Sequence, residues 1–91
     1  MSRQIRDNVA CRRLELDVND QAIFGIYERR EAELVIRYVE TPRPLRGTGA
    51  AGQLMQGIAK LARAEGRNIT PLGGYAWAWL RRHKEYRDLL N

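Results

Sequence analysis

The stretch RPLRGTGAAGQL, residues 43–54, contains three glycines spaced as G-x-G-x-x-G. Before it, apolar and polar residues alternate, which is typical of strands. After it, apolar residues recur every three or four positions, which is typical of a helix. The glycine spacing is that of a loop that holds the pyrophosphate of a dinucleotide. The stretch therefore marks the change from strands to helix and raises the question of which phosphate ligand it could bind.

The composition is that of one soluble globular domain spanning residues 1–91, with residues 1–10 as a loosely ordered lead-in. The 44% hydrophobic content is too high for a disordered chain, and the net charge of +5 favours an anionic partner. The single cysteine, Cys11, excludes an internal disulfide and fits a reducing compartment. No apolar run approaches the roughly 18 residues of a membrane span. We expect a cytoplasmic protein without a membrane partner.

The apolar pattern predicts six elements. They are strands at residues 12–18, 22–28 and 34–40, a helix at 48–65, a strand at 68–72 and a helix at 75–90. Pro42 and Pro44 lack backbone N–H groups and indicate a stiff, extended connection before the first helix. The predicted fold is therefore α+β, in the order β-β-β-α-β-α. Its sheet is mostly antiparallel, with one parallel, right-handed β-α-β crossover.

The dinucleotide interpretation fails on its other requirements. The first glycine should directly follow a strand, and an acidic residue should lie about 20 positions further on. Here two prolines separate the strand from Gly47, and the region near Asn68 has no carboxylate. Only 39 residues follow Gly52, too few to complete a doubly wound sheet. No Gly-Lys-Ser/Thr follows either, so a P-loop is also excluded.

The glycines remain suited to an anion site. Gly47 and Gly49 let the backbone approach a ligand closely, and the amides from Gly47 to Ala51 lie at a helix start, where the dipole favours negative charge. Arg46 adds a cation beside them. The alternative is a glycine-rich helix start that binds nothing.

The surroundings of this loop resemble a known family. Three antiparallel strands followed by Arg46-x-x-Gly49-x-Ala51 and a helix resemble the acetyl-CoA-binding core of the GNAT superfamily. The stretches DNVACRRLELDVNDQAIFGIYE, YVETPRPLRGTGAAGQLM and ITPLGGYAWAWLRRHKEYRDLL are similar to a branch of small, stand-alone GNAT-like proteins. The resemblance covers residues 7–90 and implies a minimal GNAT fold, acetyl-CoA as cofactor and acetyl transfer to an amine.

The resemblance also implies a set of cofactor-binding residues. Main-chain groups of Val39 and Thr41 would pair with the pantetheine amides, while the helix start would hold the pyrophosphate. The residues implied at that helix start are Arg46, Gly47, Thr48, Gly49, Ala50 and Ala51.

The chain departs from the branch at three positions. Tyr38 replaces the usual histidine, Gly73 replaces the cysteine of a Pro-Leu-Cys motif, and Lys84 replaces a proline. Without a thiol at Gly73, no acetyl-cysteine can form there. We therefore expect direct transfer to an unidentified primary amine, on a protein or on a small polyamine-like acceptor.

Glu40 is the best general-base candidate, because it ends the third strand where a carboxylate could act directly or through water. The alternative is a solvated carboxylate or an ion-pair partner of Arg43 or Arg46. Tyr38 is expected on the strand face of Leu34, Ile36 and Glu40, where it would donate a hydrogen bond or pack in the core.

Tyr75 is the third candidate catalytic residue, as an acid for the leaving thiolate or as packing at the second helix start. Trp79 and the lone His83 lie on the apolar stripe of that helix and indicate core positions, and Trp77 points another way. No cluster of histidine, cysteine and carboxylate has ligand spacing, so no metal site is expected.

Two alternatives to the enzyme stay open. One is an acyl-CoA-binding module with little catalysis, and the other is a small basic nucleic-acid-binding or adaptor protein. The sequence does not favour the second, because it lacks evident base-stacking aromatics or a groove-reading helix. The cations of the last helix are expected to be solvated, to contact a cofactor phosphate or to meet an acidic partner; they are Arg81, Arg82, Lys84 and Arg87. A monomer is compatible with these features.

Overall fold

The computed structural model describes residues 5–91 as a five-stranded sheet with two helices on one face. The strands are β1 (Arg6–Asn8), β2 (Arg13–Val18), β3 (Gln21–Arg30), β4 (Glu33–Glu40) and β5 (Asn68–Pro71), and the helices are α1 (Ala50–Glu65) and α2 (Gly74–Arg82). Short 3₁₀ segments cover Arg43–Leu45 and Lys84–Leu89. The strands lie in chain order, and only β4 and β5 are parallel, joined through α1. The predicted α+β fold with one parallel crossover is therefore confirmed.

The sequence prediction missed one short strand and extended the second helix too far. Residues 6–8, placed in a loose lead-in, form β1 and pair with β2, because Asp7 and its neighbours have ladder partners there. Residues 1–4 of that lead-in lie outside the described part of the chain. The second helix was expected to run to residue 90, but it ends at Arg82, where His83 takes an extended conformation.

The break at His83 is held by local contacts. The His83 ring stacks on Trp79 with 3.8 Å between ring centroids, and its Nδ1 lies 2.8 Å from the Trp79 carbonyl oxygen. His83 thus has a structural role: its ring packs on Trp79 where the helix ends. After the 3₁₀ segment, Asn91 N–H donates to the Ile69 carbonyl and covers the outer edge of β5.

The core lies between one face of the sheet and both helices. Its side chains come from alternate strand positions and from the inner faces of α1 and α2. The fully enclosed members include Leu14, Ile23, Leu34, Ile36, Leu54, Met55, Ile58, Ile69 and Leu80. Helix α1 ends at Gly66, whose left-handed φ of 68° lets its N–H bond back to the Ala62 and Arg63 carbonyls.

A bulge in β4 changes which side chains face this core. Tyr27 pairs with Ile36, but the next residue back on β3, Ile26, pairs with Tyr38, so Arg37 is extra. Val39 therefore packs against the core, whereas Tyr38 and Glu40 face the opposite side of the sheet. The expectation that Tyr38 and Glu40 share a face with Leu34 and Ile36 was wrong, since a period of two was assumed through the bulge.

A polar network ties the C-terminal end of α1 to the sheet. Arg29 on β3 donates two hydrogen bonds to the Glu65 carboxylate, at 3.0 and 2.7 Å, and contacts Asp7 on β1 at 2.7 Å. Tyr27 also donates to Asp7. Arg67 Nε also donates to Glu65 Oε1, at 2.9 Å. The short strand β1 is thereby fixed by side chains as well as by its ladder.

We predict that Glu65→Gln lowers the free energy of unfolding by about 1 kcal/mol at neutral pH, the scale of a charge-assisted hydrogen bond that is partly exposed. The Arg29 guanidinium holds the pKa of Glu65 below its ordinary 4.5, against the effect of partial burial. The folded pKa is below the unfolded one, so this stability is present above pH 4.5 and is lost as the pH falls through the folded pKa.

Urea titrations of wild type and variant from pH 7 to pH 3 measure the effect. The matched control is Glu31→Gln, in the exposed β3–β4 turn. Equal losses in both variants, or a Glu65 effect that grows on acidification, would contradict the assignment.

Candidate functional site

The sheet opens between β4 and β5. Their parallel pairing ends at Ile36 and Pro71, and the last bond between them runs from Leu72 N–H to the Ile36 carbonyl, at 2.8 Å. Beyond the bulge, residues 38–40 of β4 pair only with β3. The other edge of this segment is left without a strand neighbour and leads toward the start of α1.

Two glycines shape the start of α1. Gly47 and Gly49 have φ of 78° and 85°, a left-handed conformation that other residues adopt only with strain. A Cβ built on either would meet no atom within 4 Å, so backbone conformation and not crowding requires glycine. The expected helix start at Thr48 therefore shifts to Ala50.

In the first turn of α1, Ala50 N–H donates to Thr48 Oγ1 at 3.4 Å, whereas the amides of Ala51 and Gly52 have no main-chain partner among the described residues. Gly49 is the N-cap and has no side chain to cap the helix, and no acidic residue lies in the first turn. The first backbone bond of the helix runs from Gln53 N–H to the Gly49 carbonyl, so the amides of Ala51 and Gly52 precede the bonded ladder. The Thr48 hydroxyl donates to the Leu45 carbonyl at 2.6 Å and holds the loop in place.

These elements enclose a cavity of about 280 Å³. Its lining residues are Thr41, Leu45, Arg46, Gly47, Gly49, Ala51 and Tyr75. Arg46 is oriented by a hydrogen bond of 3.2 Å from its Nε to the Thr41 carbonyl. The cavity thus combines a guanidinium and the amide end of a helix with Thr41, the residue that directly follows the open β4 edge.

Tyr75 closes the cavity from α2. Its hydroxyl would lie 3.8 Å from a Cβ at Gly52, and Trp79 Nε1 only 3.4 Å, so Gly52 serves the packing of α1 against α2. Burial raises the pKa of the Tyr75 hydroxyl above its ordinary 10.0, while the charge of Arg82 opposes this in part. The hydroxyl is consequently protonated at neutral pH and can donate a proton.

The other sequence-predicted residues lie outside the lining. Val39 packs on the core, Ala50 is buried, and Thr48 stabilises the loop. Tyr38 is 50% exposed on the opposite sheet face, with Glu40 beside it. Glu40 makes no ion pair with Arg43 or Arg46 within the described residues, so that alternative is not supported.

Leu45 is the lining residue that the sequence reading missed. It is buried in the core cluster and supplies the apolar wall of the cavity. The sequence does contain a signal for this role, because Leu45 is an apolar residue in a turn shortly before a helix, and such residues often pack against the first turns of that helix.

Gly73 lies where β5 turns into α2 and touches β4. A Cβ there would be 2.9 Å from the Arg37 carbonyl oxygen and 3.1 Å from the Tyr38 Cα. Real Cβ atoms essentially never come as close as the first of these distances. The main chains of β4 and the α2 start are therefore in direct contact at the bulge.

The sequence model of the GCN5-related N-acetyltransferase family matches residues 13–89. The chain belongs to this family. The match includes the open β4 edge, the glycine loop and both helices, which together form the site just described. No curated protein matches the chain.

Two of the C-terminal arginines of this GNAT protein make local contacts. Arg81 lies 4.7 Å over the ring of the half-exposed Trp77, and Arg87 Nε donates to the Arg81 carbonyl at the end of α2.

Among residues 5–91, no three histidine, cysteine or carboxylate side chains are placed to hold a metal ion. In the same range, no helix is long and apolar enough to cross a bilayer.

We predict that Gly73→Ala lowers the free energy of unfolding by about 1–3 kcal/mol, the usual cost of overpacking, because its methyl group collides with the β4 backbone. The adjacent Gly74→Ala is the matched control: its Cβ meets nothing within 4 Å, so it should be neutral or stabilising. Thermal unfolding of the two variants measures the difference. A similar Tm for both would show that β4 and α2 do not touch as described.

Proposed function

We propose that this protein binds acetyl-CoA in the cavity at the start of α1 and transfers the acetyl group directly to a primary amine. The observation that carries the proposal is the convergence of Thr41, which directly follows the open β4 edge, the amide end of α1 and Tyr75 on one cavity. Family membership supports the transferase class, since the matched family is one of N-acetyltransferases.

The donor set suits the phosphate end of the cofactor. The amides from Gly47 to Ala51 and the Arg46 guanidinium would bind the pyrophosphate, and the open space above Gly47 and Gly49 allows close approach. Two of these amides already donate within the loop, Thr48 N–H to the Leu45 carbonyl and Ala50 N–H to Thr48 Oγ1, so they would have to exchange these bonds for the phosphate. Main-chain groups of Val39 and Thr41 would hold the pantetheine amides. Because Arg46 already bonds to the Thr41 carbonyl, its side chain would have to turn from that oxygen to the phosphate.

Acetyl-CoA supplies an activated thioester carbonyl, which an amine can attack without a protein nucleophile. Tyr75 would donate its hydroxyl proton to the departing thiolate sulfur and recover it from solvent. The proton that the attacking amine nitrogen loses would pass to solvent water, because Glu40, the base predicted from the sequence, faces the opposite side of the sheet and does not line the cavity. No thiol is available at Gly73, and the contact with Arg37 leaves no room for one.

The binding step is tested with Gly49→Ala. We expect about tenfold weaker acetyl-CoA binding, since the methyl group enters the ligand space and the strained loop misaligns the amides. Gly66→Ala is the matched control: its φ of 68° is also left-handed and its Cβ also meets nothing, but it ends α1. Calorimetric titration of both variants decides, and equal affinities would place the cofactor elsewhere.

The chemical step is tested with Tyr75→Phe. We expect acetyl-CoA affinity to be kept while turnover falls about 100-fold, the scale of lost general acid catalysis. Tyr38→Phe is the comparison, because that tyrosine lies outside the cavity lining. Release of the CoA thiol over a panel of primary amines measures turnover. A larger loss in Tyr38→Phe would reverse the assignment of the two tyrosines.

The same amine panel separates the enzyme from the second candidate, an acyl-CoA-binding module with little catalysis. The observation that favours a module is the glycine at position 73, where the related branch has a cysteine. Tight acetyl-CoA binding without thiol release from any amine would establish the module.

A further inference from the structure

A second cavity, of about 450 Å³, lies along β3 and shares no lining residue with the candidate CoA site. Its walls are formed by the β1–β2 turn and by the last residues of β3. The lining residues are Val9, Arg12, Tyr27, Glu28, Arg29 and Arg30.

This cavity exists because β3 is longer than its neighbour β2. The ladder between them begins at Arg13 and Ile26, and one further bond of 3.0 Å joins Tyr27 N–H to the Arg12 carbonyl. On the other side, β4 continues to pair with β3 as far as Arg30. From residue 28 to residue 30, the edge of β3 that faces β2 therefore has no paired strand among the described residues.

The free edge presents main-chain hydrogen-bonding groups. In an antiparallel ladder, alternate residues direct N–H and C=O to the same side, so Arg29 points these groups in the same direction as Tyr27 N–H. Within the described residues, neither group of Arg29 has a main-chain partner. The Arg29 N–H and C=O thus face the cavity as one donor and one acceptor, in the orientation in which a further strand would pair with them.

Positive charge is in excess around this edge. Three guanidinium groups converge on the single Glu28 carboxylate: Arg30 at 3.0 Å, Arg37 at 3.1 Å and Arg12 at 3.9 Å. The Arg12 and Arg30 side chains are 74% and 60% exposed, so each can reach a further anion. Arg29 is different, because its side chain is already held by Asp7 and Glu65.

We propose that the β3 edge at Arg29 binds an extended peptide segment with acidic side chains by strand addition. The peptide main chain pairs with Arg29 N–H and C=O, and its carboxylates contact Arg12 and Arg30. The β1–β2 turn adds an apolar contact through Val9, which is 68% exposed. A peptide fits better than a nucleic acid, because a phosphodiester has no N–H group to satisfy the Arg29 carbonyl.

The probe is the peptide Thr-Glu-Val-Glu-Thr, acetylated at one end and amidated at the other, titrated into the ¹⁵N-labelled full chain without CoA. We expect a saturable downfield shift of the Arg29 amide and smaller shifts at residues 9–12. Shifts at arginine side chains without an Arg29 amide shift would overturn the proposal, since carboxylates would then bind without strand addition.

Two further peptides test the mode of binding. The same sequence with N-methylated backbone amides should bind about tenfold more weakly, because the lost donor belongs to the ladder. The peptide with lysine in place of glutamate should show no binding. Equal binding of the methylated peptide, or of an oligonucleotide of the same net charge, would refute the assignment.

Three variants test the role of charge, because they are expected to weaken, strengthen and leave unchanged the binding of the acidic peptide. Arg30→Gln should weaken the acidic peptide about two- to fivefold, the range of an exposed ion pair. Glu28→Gln should strengthen it, because the carboxylate that competes for the arginines is removed. Lys60→Gln, an exposed cation on α1, should change nothing. Equal effects of Arg30→Gln and Lys60→Gln would mean that only net charge matters and would exclude this site.

Discussion

The hydrogen bond from Leu72 N–H, just past β5, to the Ile36 carbonyl is the last between these two parallel segments. The position of the site depends on where this pairing ends. One residue further along β4, the Arg37 bulge turns the strand, and Gly73 lets the start of α2 touch that bend. Beyond this point, residues 38–40 of β4 pair only with β3. The cavity lies just past the freed segment, where Thr41, the start of α1 and Tyr75 line it.

The β4 bulge also explains what could and could not be predicted from the sequence. Alternation gave β2, β3 and β4 to within two residues, and the helical period gave α1, because long periodic segments carry the strongest signal. Tyr38 and Glu40 were placed on the wrong face since nothing in LVIRYVE marks Arg37 as the extra residue. The bulge is fixed by contacts between distant segments, namely Gly73 against Arg37 and Tyr38.

The short elements failed for a similar reason. β1 has only three residues, too few for a period, and it is held by Asp7 contacts to Tyr27 and Arg29. The end of α2 at His83 depends on the ring stacking on Trp79, which a helical stripe of apolar residues does not reveal. By contrast, the glycine loop was predictable, because left-handed φ at Gly47 and Gly49 is a local property of those residues. The residue missed there, Leu45, belongs to the core through packing alone.

The contact at Gly73 limits which residues position 73 accepts. Any side chain there begins with a Cβ 2.9 Å from the Arg37 carbonyl oxygen and 3.1 Å from the Tyr38 Cα. A cysteine at this position therefore requires β4 and the start of α2 to move apart. Because residues in contact do not contribute independently to stability, position 73 and the bulge at Arg37 are energetically coupled, and a change at one alters which residues the other tolerates.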